Sequence, residues 1–155
     1  MSNDIVLNQK YFNACTEKGE ELKKYRTELK KRAIERFSVD RVTISSAHLT
    51  PSENADYFLS VQIHAKNSQE YATFAEAYLD PDGWRVALFD YHGRNAIRSK
   101  LEKAGILTVP STNTFHRENR IPLTGLISFE DYDIVLNELD RAVFLISKYF
   151  PEVNS

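Results

Sequence analysis

Four polar residues in and around one predicted strand have side chains that could take part in a chemical reaction. They are Asp80, Asp82, Asp90 and His92. Carboxylate oxygens are the hard ligands that Mg²⁺ prefers, and a bound ion activates water and stabilises the charge that develops on a phosphate. One interpretation is therefore a metal-dependent nuclease or another phosphate-processing enzyme, with Arg94, His116 and Arg117 nearby.

Ordinary turn chemistry explains the same acidic residues without catalysis. In the run Asp80-Pro81-Asp82-Gly83, proline fixes φ, aspartate bonds back to the backbone and glycine accepts a left-handed conformation. His92 also stands where metal-dependent nucleases commonly use a lysine to stabilise developing charge. We therefore favour a chain without a catalytic site, a bound metal or a cofactor.

A polar segment in the second half of the chain has the composition of a binding loop. Residues 112–120 combine a titratable imidazole, two guanidinium groups and an aromatic ring, contributed by Phe115, His116, Arg117 and Arg120. Loops on a rigid scaffold commonly carry recognition, and arginine with an aromatic residue is typical of interface hot spots. The segment predicts recognition of a protein partner, although a plain connecting loop would have a similar composition.

The strongest charge feature is a basic stretch within the predicted first helix. From Lys23 to Arg36 the chain has seven basic residues and two acidic ones, a net charge of +5 over fourteen residues. A basic helix can lie along phosphates, so an alternative function is nucleic-acid binding. That surface would use Lys23, Lys24, Arg26, Lys30 and Lys31.

Two explanations without a binding role also account for the basic residues of this helix. The first is a solvated basic face. The second is internal pairing, because the predicted last helix carries the acidic residues Glu130, Asp131, Asp133, Glu138 and Asp140. The two terminal helices are thus complementary in charge, and we expect them to pack within one chain or across a homodimer.

The composition predicts an ordered chain, and its net charge does not indicate a nucleic-acid partner. The 155 residues include 20 basic and 22 acidic side chains, for a net charge of −2, and 42% of them are apolar. One cysteine allows no internal disulfide. No secretory signal is visible, and no window approaches the roughly 18 apolar residues of a membrane span. We expect one soluble, cytoplasmic domain over residues 1–155, with no membrane partner.

Periodicity predicts the elements that must position these residues. A helical stripe runs from Asn8 to Phe37, interrupted at Gly19, where the helix could kink or after which it could begin. A basic helix with a glycine cap and an acidic helix capped by Ser128 follow later in the chain. The predicted strands are 41–49, 57–65, 84–91, 106–109 and 121–127, and the later helices are 94–104 and 129–150.

The segment 70–79 fits two patterns. Its apolar residues satisfy helical spacing, but a strand that forms a hairpin with residues 84–91 also fits. In the hairpin Leu79 faces Trp84, Ala77 faces Val86 and Ala75 faces Leu88. We favour the hairpin, which predicts an α+β fold with a mostly antiparallel sheet of about four to six strands. A long N-terminal helix, a short middle helix and a C-terminal helix complete it.

Overall fold

The fold is α+β, as the sequence predicts, and its elements follow the order helix, four strands, helix, strand, helix. The computed structural model describes residues 3–44, 59–64, 73–80, 82–90, 96–106 and 120–149. The helices are α1 (Asn3–Phe37), α2 (Ala96–Lys103) and α3 (Tyr132–Tyr149), with a 3-10 turn at Val39–Arg41. The strands are β1 (Val42–Ile44), β2 (Ser60–His64), β3 (Thr73–Asp80), β4 (Gly83–Asp90) and β5 (Arg120–Pro122).

The five described strands form one antiparallel sheet whose spatial order is the order of the chain, β1 to β5. The ambiguous segment is a strand, because Thr73–Asp80 pairs along its whole length with Gly83–Asp90. The register is the predicted one, with Leu79 opposite Trp84 and Ala75 opposite Leu88. Alternating small and large residues across the hairpin give one continuous apolar face.

Two helices cover that apolar face. α1 contacts β1 and β2, while α3 contacts β3 and β4. Leu29 of α1, Trp84 of β4 and Leu139 of α3 are fully buried in the resulting core. The indole Nε1 of Trp84 donates to the carbonyl of Phe129, 2.9 Å away, so the polar edge of this buried ring is satisfied.

α1 and α3 lie side by side and run in the same direction. Residues later in α1 contact residues later in the segment that leads into and forms α3. The ring of Tyr25 stacks on Phe129 at 4.7 Å, and the guanidinium of Arg36 binds Asp140 at 2.7 Å. One ion pair of the predicted kind, Arg36 with Asp140, therefore joins the terminal helices within one chain, whereas Arg32 pairs with Glu28 of α1 and Glu138 pairs with Arg141 of α3.

α1 is longer and more regular than the sequence pattern predicts. It is one continuous helix of 35 residues that passes through Gly19 without a break. Glycine in a helix costs about 1 kcal/mol relative to alanine, which a helix of this length tolerates. Among the described residues, no helix is both long and apolar enough to cross a membrane.

Three predicted boundaries need correction. Ser128 does not begin the last helix, because α3 starts at Tyr132 and the carbonyl of Asp131 accepts the first intrahelical bond, from Val135. The strand predicted over 121–127 is only Arg120–Pro122, followed by an isolated bridge between Trp84 and Ile127. Ile106 is not in a strand, and residues 107–109 lie outside the described part of the chain.

The predicted glycine cap of α2 is present. Gly105 has a φ of 76°, which is favourable only for glycine. The amide of Ile106 donates to the carbonyl of Leu101, and the amide of Gly105 donates to that of Glu102. These two bonds close the last turn in a Schellman arrangement, which directs Ile106 back against the core.

Candidate functional site

The acidic residues of the nuclease interpretation lie at both ends of the β3–β4 hairpin. Asp80 and Asp82 flank the turn, whereas Asp90 pairs with Thr73 at the far end. Eight residues of strand separate the two ends by about 23 Å, because a strand rises roughly 3.3 Å per residue. One ion therefore cannot be bound by carboxylates from both ends. His92 lies outside the described residues, as does Arg94.

The predicted binding loop is described only at its end. Arg120 is the first residue of β5 and pairs with Phe89 of β4. Phe115, His116 and Arg117 lie outside the described residues. Their role in binding a protein partner therefore stays a prediction.

The best-defined polar surface is on α1, where four lysines form what we call the lysine face: Lys23, Lys24, Lys30 and Lys31. Two pairs of adjacent lysines are separated by seven residues, slightly less than two helical turns, so the pairs lie one above the other along the helix. Thr27 lies between them, exposed, and its hydroxyl donates to the carbonyl of Lys23 at 2.9 Å.

The lysine face has little internal compensation for its charge. Lys23 approaches the exposed carboxylate of Glu20, at 3.8 Å. Within the described part of the chain, Lys24, Lys30 and Lys31 have no carboxylate at salt-bridge distance. Arg26, which the sequence groups with these lysines, is half-buried and takes part in another contact, so it does not belong to the lysine face.

The arginines of α1 behave differently because they lie on the opposite flank, towards α3. Arg36 binds both Asp140 and Asn137, at 2.7 and 3.0 Å. Arg32 binds Glu28 at 3.0 Å and lies over the ring of Tyr132, 4.5 Å from its centre. α3 thus contacts Arg32 through the ring of Tyr132 and binds Arg36 through Asp140, while the lysines lie on the other side of α1.

A seven-residue repeat in the sequence produces this segregation. Glu21-Leu22-Lys23-Lys24 recurs as Glu28-Leu29-Lys30-Lys31. Because seven residues nearly complete two turns, each residue type returns to almost the same side of the helix. The leucines of both copies are fully buried, Lys24 and Lys31 are exposed, and Lys23 and Lys30 are half-buried. Charge counting over the whole stretch does not detect this pattern, whereas aligning the helix on its seven-residue period does.

A second polar group, buried rather than exposed, lies on the face of the sheet opposite α1 and α3. The side chains at alternate positions of β2 are polar, and Ser60 and His64 are buried there together with Glu76 of β3. Sequence alternation predicts such positions to be on the solvent side of a half-buried strand. Here both faces of the central strands are buried, so the polar side chains need partners within the protein.

His64 shows how this layer is organised. Its Nε2 lies 2.7 Å from the hydroxyl of Thr43, which donates to Oε1 of Gln62 at 3.0 Å. Since a hydroxyl has a single hydrogen, Nε2 carries the proton and donates to Thr43. Burial lowers the pKa of His64 to about 4, with a further decrease from the charge of Arg41, so the imidazole is neutral near pH 7.

A shallow cleft of about 420 Å³ follows the outer side of the α1–α3 contact. It is lined by Arg32, Glu35, Arg36, Asp133 and Leu136. Both guanidinium groups are held by neighbouring side chains, so they form the cleft wall and hold the two helices together.

The described residues include no group of three or more His, Cys, Asp or Glu side chains placed to hold a metal ion. Comparison of the chain with protein-family models, with curated proteins and with solved structures gives no match.

Proposed function

We propose that this chain is a non-catalytic interaction protein that binds a protein partner on the lysine face of α1. The observation that carries the proposal is the division of charge on α1. Arg32 and Arg36 are engaged by α1 itself and by α3, whereas Lys24, Lys30 and Lys31 have no counter-charge within salt-bridge distance in the described ranges. A concentrated charge of one sign on a rigid helix favours encounter with a partner of opposite charge.

A protein partner is favoured over a nucleic acid by the acidic residues on the same helix. Glu21, Glu28 and Glu35 recur at the same seven-residue period as the lysines and lie on the adjacent side of α1. A phosphate polymer would bring its uniform negative charge close to these carboxylates as well. A protein surface can instead present acidic groups to the lysines and basic or neutral groups to the glutamates.

Other parts of the proposed function rest on the sequence alone. The loop with Phe115, His116 and Arg117, which the sequence favours as the binding surface, stays a second candidate surface for the same partner. Cytoplasmic location and a homodimer remain predictions. Light scattering tests the homodimer directly. A mass near the 17.9 kDa of one chain across the micromolar range would exclude it.

Capture from the native cells tests the proposed function. The full-length chain is immobilised beside three variants: Lys30→Glu/Lys31→Glu, Phe115→Ala/Arg117→Ala and, as a control with an equal change in net charge, Lys103→Glu/Lys148→Glu. The control lysines are exposed on α2 and α3. We expect a protein to be retained by the native chain and by the control, and to be lost with the lysine-face variant.

Two outcomes would contradict the proposal. If the lysine-face variant retains the partner and the loop variant loses it, the binding surface is the loop. If nuclease treatment of the cell extract removes all specific capture, the ligand is a nucleic acid. Circular dichroism of each variant shows whether a loss of binding reflects a loss of fold.

A further inference from the structure

The lysine face has the dimensions of a docking site for a helix. This inference rests on the proposed function, because it specifies what kind of protein segment the lysines bind. Lys23 and Lys24 form one pair and Lys30 and Lys31 the other. Seven residues at roughly 1.5 Å per residue place the pairs about 10.5 Å apart along the axis of α1.

The helix surface between the two lysine pairs carries a short side chain. Thr27 is the exposed residue there, and its side chain is much shorter than the lysines on either side. Its hydroxyl donates to the carbonyl of Lys23, so it requires no polar group from a partner. A short residue between longer ones forms the kind of groove into which the side-chain ridge of a second helix packs.

The separation of the lysine pairs distinguishes between partner segments. A helix presents residues on one side every seven positions, which repeats at about 10.5 Å and matches the two pairs. An extended strand presents residues on one side roughly every 6.6 Å, so its acidic side chains would fall about 3 to 4 Å short of the second pair or beyond it. The geometry therefore favours a helical segment.

We propose that the lysine face binds an acidic helix of the protein partner, with carboxylates spaced seven residues apart that reach the two lysine pairs across Thr27. The adjacent Glu21, Glu28 and Glu35 set the side of the partner helix that must be free of acidic residues. The partner helix is thus acidic along one stripe rather than all round.

Two synthetic helical peptides of equal composition test this proposal against the full-length chain. Each is about three heptads long and carries two adjacent glutamate pairs on an Ala/Gln background. In one peptide the pairs are seven residues apart; in the other they are five apart, which places them on different sides of the helix. Fluorescence anisotropy at low salt measures binding, beside an acidic proline-containing peptide and a short DNA duplex.

We expect the seven-residue peptide to bind about fivefold more tightly than its five-residue counterpart, since it makes two additional exposed ion pairs. The Lys30→Glu/Lys31→Glu variant should abolish this preference, and Lys103→Glu/Lys148→Glu should retain it. Equal binding of both helical peptides, or tighter binding of the extended peptide or the duplex, would overturn the proposal. If a cellular protein still depends on the lysine face in that case, the proposed function stands and only the helical partner is wrong.

Discussion

Arg36 of α1 and Asp140 of α3, 104 residues apart in the chain, form an ion pair 2.7 Å long between two parallel helices. Arg36 lies in the last turn of α1, where its positive charge also interacts favourably with the dipole of that helix. The pair lies on the flank of α1 that faces α3, away from the lysine face. The basic residues of α1 that stabilise the contact with α3 and the lysines that we propose bind a partner therefore lie on different sides of the helix.

The Arg36–Asp140 pair should stabilise the fold only modestly. Its side chains are 36% and 50% exposed, so water and salt screen the attraction. A double-mutant cycle with Arg36→Ala and Asp140→Ala should give a coupling energy of about 0.2 to 1 kcal/mol in urea unfolding. The value should decrease in 1 M salt, where the screening length is about 3 Å. A salt-independent coupling would show that the pair is not screened as its exposure implies.

Leu139→Ala should be one of the more damaging substitutions in α3. The side chain is fully buried between α3 and the sheet, so its removal leaves a cavity as well as losing apolar burial. We expect a loss of about 2 to 5 kcal/mol in the free energy of unfolding, measured with denaturant. Ile134→Ala, at a position 50% exposed on the same helix, should cost about 1 kcal/mol or less. A Leu139→Ala loss below half of one kcal/mol would show that this side of α3 is not packed.

Two glycines form a matched pair for testing the contact between the hairpin and residue 127. A Cβ at position 83 would lie 2.5 Å from the carbonyl oxygen of Ile127, whereas a Cβ at Gly125 would meet nothing within 4 Å. Because that carbonyl also accepts a bond from Trp84, Gly83→Ala must displace a paired backbone segment. We expect it to cost about 1 to 3 kcal/mol and Gly125→Ala to change stability by less than about 0.5 kcal/mol. Equal effects in thermal melts would contradict the close approach.

His64 should make the fold sensitive to mild acid. Its pKa falls from 6.5 to about 4 because burial penalises the charged imidazole. Between these values the unfolded chain binds more protons than the folded one, so stability should decrease as the pH falls from 6.5 towards 4. His64→Gln, which keeps a polar group beside Thr43, should lose about 1 to 3 kcal/mol of that pH dependence. An unchanged profile in denaturant unfolding across this range would contradict a buried, neutral histidine.

The hairpin is the part of the fold that sequence predicts most fully. Asp80-Pro81-Asp82-Gly83 places the turn, and alternation on either side sets the register, so both depend on local chemistry. The start of α3 is less predictable. Ser128 has a side chain suited to an N-cap. Its neighbour Ile127, however, pairs with Trp84, and the helix begins only after this contact, at Tyr132.

The candidate site was predictable in composition but not in geometry. Lys23, Lys24, Lys30 and Lys31 are visible as a basic run and share one side of α1 through their seven-residue period, yet which basic residues are engaged across the helix contact depends on where α3 packs. That packing joins residues about a hundred positions apart, which no local pattern specifies. His64 illustrates the same limit, because alternation marks it as solvent-facing and only the assembled fold buries it.

The order of the strands in the sheet has a consequence for how quickly the chain can fold. Each described strand after β1 pairs with its predecessor in the chain, so the sheet can grow one neighbour at a time, and its longest connection, residues 91–119, is far shorter than the one between α1 and α3. The contact between α1 and α3 is the exception, because its formation must close a loop of about a hundred residues. Hairpin residues such as Ala77 should therefore influence the rate of folding, and contacts such as Tyr25 with Phe129 should influence mainly the rate of unfolding.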